Sequence, residues 1–266
     1  MIDIIILAIV QGIAEFLPIS SSGHLVVLGA LMGKLSSSPA LEIILHVGTL
    51  GSILVVFWKR ILDLLRSDKR VIPLLIVGTI PAGIVGLTIK SKFEVVLLRN
   101  PPLVGVMLLL TAAMLILLGR LKPREGEYQR MSLWGAFLVG CFQAFAILPG
   151  ISRSGSTILG GRLLGLKNED SVTFSFLLAI PAILGASVLT CKDLLETGLA
   201  GIPFSALELA VGAITAFAVG VFALRWLIGW SRQDRLHWFA WWCIPVGILV
   251  IVYFGFFVPP VAAPAL

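Results

Sequence analysis

Apolar stretches long enough to cross a bilayer follow one another from end to end of this chain, separated by brief charged loops. That pattern leaves few folds open. With no water in the hydrocarbon region to bond stray amides, such segments must be helices packed on one another. Composition agrees: 58% of residues are hydrophobic and 13% charged, and the mean hydropathy is +1.05. A soluble domain is excluded. The net charge of +6 would suit a nucleic-acid partner, but the basic residues cluster in loops between spans, where membrane topology accounts for them. No cleavable signal peptide is expected, because no basic region precedes the first apolar helix. Cys141, Cys191 and Cys243 sit singly in apolar surroundings. They fit neither a zinc site nor a disulfide framework and are expected to be small core residues.

Taken in order, Met1–Leu17 is an apolar helix broken by Pro18 and Gly23, and a second apolar piece runs over Leu25–Met32. Two half-length helices around a Pro/Gly/Ser turn predict a re-entrant hairpin, buried in protein or lining a wet cavity; the plainer alternative is an N-terminal span with a surface loop. After a loop at Ser36–Pro39, spans are predicted at Leu41–Trp58, Ile72–Ile89 (kinked by Pro81) and Leu103–Leu118. A strongly basic loop separates the first two, and Asn100-Pro-Pro102 blocks helix continuation before the third. Beyond the hydrophilic stretch Gly119–Arg130 the pattern restarts. Ser132–Leu148 ends in Leu-Pro-Gly, a Ser/Gly-rich turn leads to a short piece ending at Leu166, and spans follow at Ser171–Leu189, Leu207–Ile228 and Ala240–Val258, before a Pro/Ala tail.

Leu17-Pro-Ile-Ser-Ser-Ser-Gly23 matches Leu148-Pro-Gly-Ile-Ser-Arg-Ser-Gly155 except for one inserted glycine and one Ser/Arg exchange. This is an internal repeat. Three spans is an odd number, so the second half must enter from the opposite face. The expected fold is therefore an all-α polytopic membrane protein with an inverted-topology repeat. Each half is a re-entrant helical hairpin plus three transmembrane helices, in a single membrane domain over 1–266 with repeats at 1–121 and 131–260. Discontinuous helices of this kind meet near the midplane and form a binding site. Loops 59–71, 119–131, 167–170 and 229–238 carry twelve basic residues against five on the other face. The positive-inside rule makes the first face cytoplasmic, with both termini and the mouth of the first hairpin outside. Arg162 and Arg225 are assigned to neither face.

The chemistry is concentrated in the two broken turns. Arg153 has no acidic residue nearby in sequence, and an arginine at a span centre costs about 2.5–3.5 kcal/mol on insertion scales. Its counter-charge must be Glu15 across the repeat or a bound anion. A guanidinium fork suits phosphate oxygens, and the turn at Pro149–Thr157 opens a helix whose free N–H groups favour an anion. Ser152, Ser154, Ser156 and Thr157 either cap that helix or donate to the same oxygens. In the first turn, Gln11 and Glu15 share a helix face, where a carboxylate can hold a hard divalent cation with phosphate oxygens. Ser20, Ser21 and Ser22 lie beside His24. A hydroxyl next to an imidazole is the minimum pair for an activated nucleophile; equally, the imidazole can activate water or protonate a leaving oxygen. His46, mid-span, and His237, in a loop, are expected to be packing and interfacial residues. No P-loop, Gly-x-Ser-x-Gly elbow or His-Glu-x-x-His pattern is present.

Gln11-x-x-x-Glu15 followed by Pro18-Ile-Ser-Ser-Ser-Gly-His24, with Pro149-Gly-Ile-Ser-Arg-Ser-Gly-Ser-Thr157 roughly 130 residues later, closely resembles the bacterial undecaprenyl-diphosphate phosphatases of the bacitracin-resistance type. The likeness extends over nearly the whole chain in length and span order. It implies hydrolysis of a C55 polyprenyl diphosphate to the monophosphate and inorganic phosphate, which recycles the cell-wall carrier lipid. It also implies a divalent cation, Mg²⁺ or Ca²⁺, and an outward-facing site in the bacterial plasma membrane. Membrane lipids are the other expected partners, with no nucleic acid; a homodimer is compatible with the sequence. Carried over residue by residue, Arg153 with Ser152, Ser154 and Thr157 grips the phosphates, and Glu15 with Gln11 holds the metal. Ser21 is the candidate nucleophile and His24 its acid/base partner, assisted by Ser20 and Ser22. The family accepts Glu or Gln at the leading position, so Glu15 is the one carboxylate of this motif. The alternative function is a polyprenyl-phosphate transporter or flippase, since inverted repeats with broken helices are common among transporters. A carrier has no need of the Ser21/His24 pair.

Overall fold

Prolines, glycines and small polar caps set the ends of the apolar segments in the computed structural model, which describes residues 1–32, 39–92, 100–197 and 204–258. The first half opens with two short helices, α1 (Ile2–Ala14) and α2 (Ser21–Met32), joined through Pro18. Long helices follow at α3 (Pro39–Val56), α5 (Val71–Lys92) and α6 (Pro101–Arg120), with a short α4 (Trp58–Arg66) after α3. The second half repeats the order. Short α7 (Leu133–Phe145) and α8 (Arg153–Leu163) precede α9 (Asn168–Thr197), α10 (Ala206–Ser231) and α11 (Ala240–Val252). Among the described residues there is no strand beyond a single bridge between Gly126 and Leu166. The chain is an all-α, multi-pass membrane protein. Among the described residues five helices are long and apolar enough to span, six if the bent α3–α4 pair is one span. The expected loop at 36–38 with Lys34, the stretch 93–99 and the tail from 259 lie outside the described residues.

Three local expectations are corrected. The basic loop after Trp58 is partly helical: α4 turns 70° from α3. Trp58, Ile61, Leu62 and Leu65 recur at helical spacing while Lys59 and Arg66 are exposed, the pattern of a helix lying along a membrane surface. Asn100-Pro-Pro102 begins a helix. The Asn100 side chain accepts from the Leu103 N–H at 3.2 Å, and the prolines take the first two positions, where no amide donor is needed. Of the cysteines only Cys243 is buried, while Cys141 and Cys191 are exposed. In a bundle surrounded by lipid, an apolar neighbourhood in sequence does not mean a place in the core.

The halves interlock. Helix α1 packs on α10 and α7 packs on α5, so the first arm of each hairpin lies against a long helix of the other half. Helices α6 and α11 cross at Gly105 and Gly247. A Cβ added to either would come within 2.9 Å of the other's carbonyl oxygen, the close approach that small residues allow between membrane helices. Beneath the hairpin turns, Phe16, Phe57 and Phe176 form an aromatic floor, with Phe176 ring centroids 5.7 and 6.1 Å from the other two.

At the basic face the connecting segments are tied together. Arg60 donates to the Tyr128 hydroxyl and pairs with Asp68 at 2.8 Å, and the Tyr128 N–H donates to Asp170 at 3.1 Å. Burial pushes the Tyr128 hydroxyl up to about 12, against the pull of Arg60. In sequence all seven tryptophans, Trp58, Trp134, Trp226, Trp230, Trp238, Trp241 and Trp242, lie within a few residues of segments 59–71, 119–131 and 229–238.

Candidate active site

Pro18 ends the first helical run, and the chain must reverse within a few residues. Ser20 makes the turn with φ at +69°, in the left-handed region that side chains other than glycine rarely occupy. Such strain persists where the surroundings over-determine it. The Ser20 Oγ accepts from the Gly23 N–H at 3.2 Å and from the Gly150 N–H, 130 residues away, at 3.1 Å. Gly150 has φ +98°, and its carbonyl accepts from Thr111 Oγ1 at 2.7 Å, while the Ser152 N–H donates to that same oxygen at 3.0 Å. The two hairpin tips are thereby pinned to each other and to α6. Ser152 then caps α8, its Oγ accepting from the Gly155 N–H at 3.1 Å.

This scaffold brings Glu15, at the end of α1, against Arg153, the first residue of α8. Arg153 Nη2 lies 2.6 Å from Glu15 Oε1. The other carboxylate oxygen, Oε2, accepts from Ser21 Oγ at 2.6 Å and from Gln11 Nε2 at 3.1 Å. Arg153 also stands 6.0 Å over the Phe176 ring, and its Nη1 is buried with no partner. Glu15, Ser21 and Gln11 are all buried. The result is a buried cluster with one carboxylate, one guanidinium and one hydroxyl that donates to the carboxylate.

His46 of α3 joins it, contrary to the expectation of a packing histidine: its Nε2 is 3.7 Å from Glu15 Oε2. The His46 Nδ1 is engaged with the Glu42 carbonyl oxygen at 2.8 Å, which fixes the N–H on Nδ1. The Nε2 edge of the ring is thereby left facing the carboxylate. An ionisable group inside an otherwise apolar span was the signal available in the sequence.

The remaining candidates lie differently. His24 Nδ1 donates to the Ser20 carbonyl at 2.8 Å, and its Nε2 accepts from Trp242 Nε1 at 3.0 Å. Among the described residues no hydrogen bond joins it to Ser21. Ser22 Oγ is 3.4 Å from Ser20 Oγ. Ser154 shares a 3.1 Å contact with Ser152, and Thr157 donates to the Arg153 carbonyl at 2.8 Å beside Ser175. Ser152, Ser154, Ser156 and Thr157 are at most 1% exposed. Of these hydroxyls Ser152 caps α8, while Ser156 lies 3.8 Å from Met114 Sδ, and the unpartnered cationic N–H groups of the site belong to Arg153. No three His, Cys, Asp or Glu side chains group as a metal site among the described residues. The oxygen donors available are the Glu15 carboxylate and Gln11 Oε1, which is buried without a partner. Two protein oxygens fit a Mg²⁺ or Ca²⁺ that draws its other ligands from phosphate and water.

Residues 4–249 match the family model described as bacitracin resistance protein BacA. The chain is 68% identical over 252 residues to an undecaprenyl-diphosphatase of Rhodopirellula baltica, which covers 95% of this chain and 97% of that protein. It is 40% identical to proteins of the same name from Halothermothrix orenii and Methanosphaera stadtmanae, covering 96% and 95% of this chain and 98% of each relative.

Proposed function

The chain belongs to the bacitracin resistance protein BacA family, and we propose that, like the relatives named undecaprenyl-diphosphatase, it hydrolyses undecaprenyl diphosphate to the monophosphate and inorganic phosphate. The observation that carries this reading is Glu15 held between Arg153 and Ser21, each at 2.6 Å. Arg153 turns its spare N–H groups to the terminal phosphate. Ser21 Oγ attacks that phosphorus, a new O–P bond forms, and the bond to the bridging oxygen breaks. The serine proton passes to Glu15, and polyprenyl monophosphate leaves. Water then cleaves the serine ester: the proton on Glu15 returns to Ser21 Oγ, and both water protons depart on inorganic phosphate. Glu15, rather than His24, is the base that Ser21 addresses, and His46 flanks the same carboxylate oxygen at 3.7 Å. His24 reaches substrate by exchanging its bond to Trp242. Glu15 and Gln11 would hold a divalent cation, which when bound withdraws charge from the diphosphate oxygens.

One feature supports a cytoplasmic basic face, with the termini and the mouth of the first hairpin outside: twelve basic residues against five. The cell-wall carrier-lipid cycle of a plasma membrane is the setting this implies. Release of phosphate from a polyprenyl diphosphate by the purified protein in detergent tests the reading, because flipping is invisible without a bilayer. A protein that binds the lipid and releases no phosphate would leave the transporter reading in its place.

A further inference from the structure

Helix α8 carries Arg153 at its start and Arg162 nine residues later, about 14 Å further along the axis. Arg162 is only 3% exposed. Its Nη1 and Nη2 donate to the carbonyls of Leu166 and Lys122 at 2.9 and 3.1 Å, and its Nε is buried with no partner. No carboxylate forms an ion pair with it among the described residues. Yet it lines a cavity of about 310 Å³, together with Arg124, Lys167, Arg232, Glu169 and Asp234. Glu169 pairs with Arg232 at 3.2 Å, while Asp234, which accepts from the neutral Asn168 amide, keeps its charge and faces Arg162 across the cavity. Lys167 in turn pairs with Asp170 at 3.2 Å. Arg124 and Arg162 are left as two guanidiniums against the single carboxylate of Asp234, the inner of them desolvated and hydrogen-bonded only to neutral carbonyls. A buried charge in that position is costly until an anion reaches it.

We propose that this cavity is a second anion site, for a phosphate group carried either by inorganic phosphate or by a phospholipid head, at the basic face and apart from the reaction centre. Planar forks suit phosphate oxygens, and the first turn of α9, which begins at Asn168, adds its positive dipole end. Glu169 and Asp234 set the limits of the site, admitting one phosphate and disfavouring a highly charged polyphosphate.

The test uses delipidated full-length protein carrying Arg153→Ala, so that phosphate bound at the reaction centre does not contribute. Inorganic phosphate and, separately, short-chain phosphatidylglycerol in mixed micelles are titrated while the thermal unfolding midpoint is followed. Because Arg162→Ala removes a bracing group and can fail to fold, the deciding variant is Arg124→Gln, an exposed residue outside the reaction centre. Saturable stabilisation that Arg124→Gln weakens by about tenfold in apparent affinity is expected. Response to phosphatidylglycerol alone identifies a lipid head, and response to both identifies the phosphate group itself. Titrations that Arg124→Gln leaves unchanged, or that chloride at equal ionic strength reproduces, overturn the proposal.

Discussion

Arg153 Nη2 and Glu15 Oε1 meet at 2.6 Å although 138 residues separate them in the chain. Each lies at the broken end of a short helix, one in each half, so the pair exists only when both hairpins are seated. Glu15 is buried and Arg153 nearly so. Removing one partner therefore strands a charge in the core, which typically costs about 3–5 kcal/mol. Arg153→Ala is expected to lower the unfolding midpoint in detergent, and the double variant Arg153→Ala with Glu15→Ala to recover much of that loss. A double variant as unstable as the two losses added together would show that the pair is not coupled.

Thr111 is a hinge pin of the same assembly. Its hydroxyl donates to the Gly150 carbonyl and accepts from the Ser152 N–H, fully buried. Thr111→Val keeps the shape and removes both bonds, leaving two buried backbone groups unpaired at about 1–3 kcal/mol each. A clear drop in unfolding midpoint and in hydrolysis is expected, with Thr111→Ser near the parent. Thr111→Val behaving like the parent would mean that the hairpin tip is held by other contacts.

Much of this could be read before any coordinates. The two Leu-Pro turns marked the broken hairpins, and Arg153, without an acid near it in sequence, called for Glu15 or a bound anion, of which the structure supplies Glu15. Other features were hidden for physical reasons. His46 sits mid-span among apolar residues, and only the packing of α3 against α1 turns it to Glu15. Trp242 reaches His24 across 218 residues, a pairing that no local pattern encodes. The hydroxyls of Ser152, Ser154 and Thr157 suited phosphate as well as capping, and in the structure Ser152 caps α8 while all three are buried. Charge density marked 59–71 as a loop, whereas amphipathic spacing folded half of it into α4.

His46→Gln tests the residue that sequence reasoning set aside. Its Nε2 stands 3.7 Å from Glu15 Oε2, the oxygen to which Ser21 donates. Losing that contact misplaces the base, and small misplacements near the reacting atoms cost up to about 100-fold. A fall of about ten- to a hundred-fold in kcat/KM, with the unfolding midpoint little changed, is expected. Unchanged kinetics would return His46 to a packing role.

Gln11 gives a handle on the cation. Activity is expected to vanish with chelator and return with Mg²⁺ or Ca²⁺, and Gln11→Leu to raise the metal concentration needed for half-activity. Gln11→Glu, which adds a second carboxylate beside Glu15, is expected to lower it. Full activity in chelator, or identical metal titrations for all three proteins, would remove the cation from the site.

The most direct measurement is phosphate release from undecaprenyl diphosphate in detergent by the parent, by Glu15→Ala, Ser21→Ala and Arg153→Ala, and by the triple variant. Residues that act as one unit fail together, so each single variant is expected to lose at least about 100-fold and the triple variant to be little worse than the slowest single. Substantial release by Ser21→Ala, or single losses that multiply in the triple variant, would contradict a site in which Arg153, Glu15 and Ser21 work as one.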